Sequence, residues 1–245
     1  MDKFIKNLAR GAGAILRDGF KKEIEINHKK GFWDIVTQYD LASDKYIVER
    51  IKKKFPSHGI ISEEGTEIKN KKHLWVIDPL DGTRNFSRGI PIFCTAIAYV
   101  KDGKPIFGVT YDSVHDELFF ARRGRGAFLN GNQIYVSSTQ LIEHGFATGA
   151  GLSKKINQLF LDQNIWRVNL ASGALSLAYL AAGRYDFSIH AGGNSWDYCS
   201  SALIAMEAGA KVTDLQGKAY QWHMGEVMAA NPALHKKIMN ELKSK

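Results

Sequence analysis

Cysteine is scarce. Cys94 and Cys199 are the only two in the chain, too few for a disulfide framework or a cysteine-based zinc site, and both read as small core residues. Long hydrophobic runs are missing too. No apolar stretch approaches the roughly 20 residues that a membrane span needs. The opening segment keeps charges at Lys3, Lys6, Arg10, Arg17 and Asp18, which argues against a secretory leader and predicts a cytoplasmic protein with no membrane partner. There is no internal repeat, linker or low-complexity tract. At 44% hydrophobic and 24% charged over 245 residues, the composition excludes disorder, collagen and coiled coil.

Acids are in the minority, 25 Asp and Glu against 33 Lys and Arg, for a formal charge of +8. Such an excess can mean a nucleic-acid partner, so its distribution matters. Lys21-Lys22, Lys29-Lys30, Lys52 to Lys54, Lys69 to Lys72, Lys154-Lys155 and Lys236-Lys237 are short clusters scattered along the chain, which reads as solvated surface rather than a binding stripe. The denser Arg122-Arg123-Gly124-Arg125-Gly126 follows a strand-like run and reads as a hairpin tip or loop.

Helical spacing of Phe4, Ile5, Leu8, Ala9, Ala12, Ile15 and Leu16 predicts an opening amphipathic helix. A second runs from Leu41 to Phe55 and is stopped by Pro56; between the two, Asp34 to Asp40 reads as extended. Ile60 to Ser62 and Leu74 to Ile77 are strand-like, and each runs straight into carboxylates. Thr95 to Val100, Pro105 to Tyr111 and Glu117 to Ala121 read as consecutive antiparallel strands. Further on come a small-residue helix from Ser172 to Ala182, a strand from Tyr185 to Ile189, a helix from Trp196 to Ala208, strands at Lys211 to Asp214 and Val227 to Ala230, and a last helix from Pro232 to Leu242. The whole reads as one α+β body of two closely packed lobes, about 1–135 and 136–245.

The strongest local feature is Trp75-Val76-Ile77-Asp78-Pro79-Leu80-Asp81-Gly82-Thr83. An apolar strand delivers two carboxylates separated only by Pro79 and Leu80. Pro79 predicts an irregular turn, which lets Asp78 and Asp81 point to one side with the Leu80 carbonyl. Gly82 and Thr83 then stand where a helix would start, with amides and a hydroxyl suited to a phosphate oxygen. Oxygen ligands without His or Cys favour Mg²⁺, or Mn²⁺, over zinc. Ile60-Ile61-Ser62-Glu63-Glu64-Gly65 is a second strand ending in acids, which also fits a solvated turn. Trp196-Asp197 opens a long apolar helix, where Asp197 also fits a plain helix-start residue. Four carboxylates in one pocket would be unstable without cations, so together they imply metal.

The order Glu63-Glu64-Gly65, Asp78-Pro79-Leu80-Asp81-Gly82-Thr83, then Trp196-Asp197 with Glu207-Ala208-Gly209 behind it, together with Val36-Thr37-Gln38-Tyr39-Asp40 near the start, resembles the inositol monophosphatase family across essentially the whole chain. The resemblance implies a layered αβαβα sandwich of the inositol monophosphatase and fructose-1,6-bisphosphatase type. It also implies a Mg²⁺-dependent, lithium-sensitive phosphoric monoester hydrolase, with two or three ions, and a homodimer. On that likeness Glu63, Asp78 and the Leu80 carbonyl hold a first metal, and Asp78, Asp81 and Asp197 a second. Thr83, bonded to Asp40 and beside Glu63, helps activate the attacking water. Asp81, Gly82, Thr83, Ala171, Ser172, Gly173 and His190 fall at positions that meet substrate.

Four departures bear on the substrate. Ala171-Ser172-Gly173 stands where the family has a Gly-Ser/Thr-Ala step, so the small residues are shuffled. His190 replaces a Glu that receives substrate hydroxyls; an imidazole offers one donor and one acceptor where a carboxylate accepts several bonds. This weakens inositol preference and leaves open a protonated His190 that meets a second anion. Arg84 and Arg88, in Arg84-Asn85-Phe86-Ser87-Arg88-Gly89, could each reach a second phosphate or carboxylate, or simply lie on the surface. The stretch from Gly149 to Leu170 is shorter than its usual counterpart. The sequence therefore predicts hydrolysis of a small phosphorylated polyol or sugar. Fructose-1,6-bisphosphatase, histidinol-phosphate phosphatase and 3′-phosphoadenosine nucleotide phosphatase are alternatives on the same metal core. An RNA- or ribosome-associated partner protein is the reading from a different class, since a relative of the family acts in antitermination.

Overall fold

The computed structural model describes residues 1–31, 34–70 and 72–244. In chain order the elements are α1 (Asp2–Gly19), β1 (Ile26–Gly31), β2 (Asp34–Thr37), α2 (Gln38–Lys54), β3 (Gly59–Ser62), β4 (Glu67–Ile68), β5 (His73–Asp81), α3 (Thr83–Ser87), β6 (Cys94–Lys101), β7 (Lys104–Asp112), β8 (Glu117–Arg122), β9 (Ala127–Leu129), β10 (Asn132–Ile134), β11 (Phe146–Ala150), α4 (Lys154–Asp162), β12 (Trp166–Val168), α5 (Gly173–Ala181), β13 (Phe187–His190), α6 (Ser195–Glu207), β14 (Lys211–Thr213), β15 (Val227–Ala230) and α7 (Pro232–Ser244).

Period-two alternation in the strands builds the layers. In β5 and β6, Trp75, Ile77, Ile97 and Tyr99 pack with Ile5, Leu8, Ala12, Ile47 and Ile51 of α1 and α2. Their neighbours in sequence face the other way: Leu74, Val76, Ala98 and Val100 meet Cys199 of α6, and Ala96 joins the core built on α5 and α6. Across that helix pair, Val227 and Ala229 of β15 close the same core. Met228 and Ala230 face outward onto Leu159 of α4 and Leu234 and Ile238 of α7. The result is helix pair, sheet, helix pair, sheet, helix pair, the layered α+β sandwich expected from the sequence.

The first sheet has eight strands in the order β10-β9-β8-β7-β6-β5-β3-β4, the second has five in the order β12-β11-β13-β15-β14, and β1 and β2 form a separate hairpin. The β5 to β10 run is an antiparallel meander, while β3 pairs with β5 in parallel. Parallel pairing sends the chain out of β3 and β5 at one end of the sheet, so the acids that follow Ile61 and Ile77 arrive together.

Two local expectations are corrected. The second helix starts at Gln38 rather than Leu41, because the Thr37 side chain caps it by accepting from the backbone N–H of Tyr39 and Asp40. Pro79 does not end β5 in a turn. The strand continues to Asp81 with a bulge: Asp78 pairs with Ala96 and Asp81 with Cys94, three steps on one strand against two on its partner. The bulge absorbs the missing N–H of Pro79, and the freed Pro79 carbonyl accepts from Ser43 Oγ at 2.9 Å and Thr95 Oγ1 at 3.2 Å. The Arg122 to Gly126 stretch is the connection from β8 to β9, as expected, and its amides at Gly124, Arg125 and Gly126 all donate to Glu207.

Candidate functional site

The bulge at the end of β5 decides where its two acids point. Asp78 is buried and accepts from its own turn, Leu80 N–H to Asp78 Oδ1 at 3.1 Å. Asp81 Oδ2 receives Ser172 Oγ and the Ala174 amide, both at 2.7 Å. Ser172 at the same time caps α5 through Leu175 N–H. The side chain read as a substrate contact therefore also fixes a carboxylate. Gly82 leaves the strand at φ 97°, and a Cβ there would lie 2.8 Å from the Ile92 carbonyl oxygen; no other residue turns the chain into α3 at this spot without strain.

At α3, the Thr83 hydroxyl lies 2.9 Å from Asp40 Oδ1 and 3.0 Å from the Leu80 carbonyl oxygen. It has one proton to give to these two acceptors. Asp40 is fully buried at the third position of α2, where its Oδ2 accepts from the Thr37 backbone N–H at 2.8 Å and from the Thr37 hydroxyl. This capping box pins the carboxylate and aims Oδ1 at Thr83. Asp197 is pinned in the same way. It stands at the third position of α6, and its Oδ2 accepts from the Asn194 backbone N–H at 2.6 Å. The helix-start role read for Asp197 and its place beside the other acids thus coexist.

Glu63 and Glu64 follow β3 directly, and Glu63 N–H continues the parallel ladder to the Ile77 carbonyl at 3.1 Å. They do not form a solvated turn, for the Glu64 side chain is only 3% exposed. Lys29 of β1 reaches both, at 3.2 Å from Glu63 Oε1 and 2.8 Å from Glu64 Oε1. Burial works against its charge, but the two carboxylates prevail and hold the ammonium above its ordinary pKa. This corrects the reading of Lys29 as surface charge. Asp44 of α2 supports the same turn through Ser62 and Thr66.

Burial pushes upward every acid of this site for which a shift is resolved. Asp40 and Asp81 rise to about 6, and Glu64 and Asp197 to about 7. Asp78 is raised well above the usual carboxylate range by burial, then by the charges of Glu63, Asp81 and Asp197. Acids that raise one another in a dry pocket are the setting in which a divalent cation restores the charged forms. The donor set fits a hard ion: carboxylates of Glu63, Asp78, Asp81 and Asp197 and a strand-end carbonyl. The nearby soft group is withdrawn, since burial pushes the Cys94 thiol up. Among the described residues, no three Asp, Glu, His or Cys side chains are already drawn into a closed ligand cluster. The fold brings the acids into mutual electrostatic range without clasping them.

A cleft of about 350 Å³ opens beside these groups, lined by Glu63, Gly82 and Thr83 together with Arg84, Asn169 and Ala171. Ala171 sits at φ 49°, a left-handed position at which Gly would be unstrained. The glycine of this step stands instead at Gly173, where a Cβ would lie 2.8 Å from the Tyr198 ring. His190 ends β13 at 4% exposure, outside the cleft lining, and its Nε2 is buried without a hydrogen-bond partner among the described residues. Burial pushes its pKa down to about 4, so it is neutral at pH 7 and does not supply the positive charge considered for it. Lys29, Asp44 and Asn169 were missed by sequence reasoning. Only the Asn169–Ala171 spacing, an Asx turn with Asn169 Oδ1 accepting from Ala171 N–H at 2.9 Å, carried a local signal.

Comparison with known proteins agrees with this geometry. The model of the Inositol monophosphatase family matches residues 1–245. Inositol monophosphatase 2 of Solanum lycopersicum is 38% identical, over 99% of this chain and 98% of its own length. A Nus factor SuhB from Pseudomonas aeruginosa is 37% identical, over 96% of this chain and 92% of its own. Among solved structures, the Thermotoga maritima IMPase superposes with a TM-score of 0.91 at 35% identity, covering 100% of this chain and 98% of that one. An IMPase/NADP phosphatase complexed with Mg²⁺ and phosphate gives 0.88 at 25% identity, covering 100% and 95%. Among the described residues no helix is long and apolar enough to cross a membrane.

Proposed function

The chain belongs to the inositol monophosphatase family, whose members are phosphoric monoester hydrolases, and on that premise we propose that it hydrolyses a small phosphorylated polyol or sugar with magnesium, by direct attack of water and without a covalent phosphoenzyme. The observation that carries the reading is the set of buried, mutually raised carboxylates at the ends of β3 and β5 and the start of α6, beside a hydroxyl that is already hydrogen-bonded to Asp40. Glu63, Asp78 and the Leu80 carbonyl would hold one ion, and Asp78, Asp81 and Asp197 another. A structural relative complexed with Mg²⁺ and phosphate supports magnesium as the ion by analogy. When bound, such ions acidify a water and neutralise phosphoryl oxygens.

The protein's own part is to place and relay a proton. Asp40, its pKa pushed up to about 6 by burial, is a competent acceptor near neutral pH. Thr83 Oγ1 stands between it and the cleft. A water on the cleft side gives its proton to Thr83 Oγ1 as the Thr83 proton passes to Asp40 Oδ1; the new P–O bond forms as the P–O bond to the ester oxygen breaks, and that oxygen leaves as the alcohol with a proton from solvent. Gly82 and Thr83 amides line the side where the phosphoryl oxygens would rest. The test is phosphate release from inositol 1-phosphate, fructose 1,6-bisphosphate, histidinol phosphate and 3′-phosphoadenosine 5′-phosphate, with Mg²⁺ and with a chelator. Magnesium-dependent turnover of at least one is expected; turnover of none would sink the reading.

A second reading, an RNA-associated partner, is favoured by the 37% identical Nus factor and by the +8 charge. It predicts RNA binding that weakens steeply between 50 and 200 mM salt and survives Asp81→Asn, whereas the hydrolytic reading does not require binding at all. Gel-shift titrations across salt separate the two.

A further inference from the structure

A substrate whose phosphoryl group sits at the carboxylates must still place the rest of its body, and the cleft wall decides what that body can be. Beyond Glu63, Gly82 and Thr83, the cleft is lined by Asp34, Ile35, Arg84, Ala150, Asn169 and Ala171. Ile35, Ala150 and Ala171 offer no polar side-chain atom, and Asn169 commits its Oδ1 to the Ala171 amide. His190, which stands where a hydroxyl-binding carboxylate would, is buried, neutral and outside the lining. Beyond Glu63, Thr83 and Arg84, the described lining side chains offer a ring of neutral hydroxyls only the Asp34 carboxylate and the Asn169 amide nitrogen. Arg84 is the one cation among the described lining residues. It follows Thr83 directly in the chain, so its root is a single Cα step of about 3.8 Å from the residue that relays the proton. Arg88, the other arginine of this segment, follows α3 as its C-terminal cap and does not line the cleft.

Resting on the phosphatase reading above, we propose that Arg84 is a specificity-determining residue that selects phosphate monoesters carrying a second anionic group. A guanidinium stays charged at any working pH, and its planar fork matches a carboxylate or a phosphate with two parallel hydrogen bonds. A neutral polyol gains little from it.

The test compares kcat/KM within two matched pairs at saturating Mg²⁺: 3-phosphoglycerate against glycerol 3-phosphate for a carboxylate, and fructose 1,6-bisphosphate against fructose 1-phosphate for a phosphate. Wild type, Arg84→Ala and Arg84→Lys are assayed side by side. Arg84 is exposed, so both variants are expected to fold, which circular dichroism checks. The wild type is expected to prefer the acidic member of at least one pair by tenfold or more, and that pair identifies the second group. Arg84→Ala is expected to cut the preference at least tenfold, mainly through KM for the acidic member, and Arg84→Lys to recover part of it. A wild-type ratio near one in both pairs, or an equal loss on both members in Arg84→Ala, overturns the role of Arg84 while leaving the phosphatase intact. Hydrolysis of none of the four overturns this inference; the phosphatase reading falls with it only if inositol 1-phosphate, histidinol phosphate and 3′-phosphoadenosine 5′-phosphate are left uncleaved as well.

Discussion

Asp81 carries opposite demands in one side chain. Ser172 and Ala174 donate to it, which favours its charge, yet burial prevails and its pKa rises to about 6 from 3.8. For such a group the folded state holds its proton more tightly than the unfolded chain. Its contribution to stability is therefore lost as pH rises from about 4 through about 6, and stays lost above that. The loss is on the order of 1–3 kcal/mol for a shift of this size. Asp81→Asn keeps an acceptor for both donors and removes the charge. The metal-free variant is accordingly expected to melt above wild type at pH 8 and close to it at pH 4.5, while phosphate release falls by about a thousandfold or more. Differential scanning calorimetry beside a phosphate assay reads both. A variant that melts lower at pH 8 would show that the charge on Asp81 does not weigh against the fold.

The elements around the site are aimed by devices of two or three residues. The capping box at Thr37 and Asp40, the bulge at Pro79 and the left-handed Gly82 each turn a chain end so that an oxygen faces the cleft. Gly82→Ala would place a Cβ against the Ile92 carbonyl in a backbone region that costs an L-residue roughly 1–2 kcal/mol before any clash. A loss of at least about 2 kcal/mol in urea unfolding is expected, with activity falling further than stability because Thr83 shifts. Wild-type stability in that variant would mean that the chain re-routes freely here. Much of this scale was legible in the sequence. Apolar runs ending in Asp78, Asp81 and Glu63 announced strand ends, and Trp196-Asp197 a helix start. Less visible were segments with weak patterning. β1 reads Ile-Asn-His-Lys-Lys-Gly with no alternation, so Lys29 looked like surface charge. β11 is Phe-Ala-Thr-Gly-Ala, mostly small residues. The amphipathic α4, with Ile156, Leu159 and Phe160 behind a Ser153 cap, carried a signal that the reading passed over.

On the scale of the whole molecule, the sandwich draws Asp40, Glu63, Asp78, Asp81, Ser172 and Asp197 from five stretches of chain to one end of the layers. No single stretch holds a metal site, and the pairing of Ser172 with Asp81 across 91 positions has no trace in local sequence. Periodicity predicts elements but not which ends meet. Because the site is assembled by the complete fold, its electrostatic strain appears in global stability. Asp40, Glu64, Asp81 and Asp197 all have raised pKa values, between about 6 and about 7. The metal-free protein is therefore expected to lose thermal stability steadily from pH 4.5 to pH 7.5, and 10 mM Mg²⁺ to raise the melting temperature more at pH 7.5 than at pH 4.5. A magnesium effect that is flat across this range would separate the ion from these carboxylates.

Proton counting links that strain to its cause. Mg²⁺ is titrated calorimetrically into chelator-treated wild type and Asp81→Asn, in buffers of differing ionisation enthalpy, at pH 6 and pH 8. If the buried acids are the ligands, binding to wild type releases more protons at pH 6, where Asp81 and Asp197 are partly protonated, than at pH 8, and the variant binds far more weakly at both. Binding without proton release at pH 6, or undiminished binding to Asp81→Asn, would contradict the assignment.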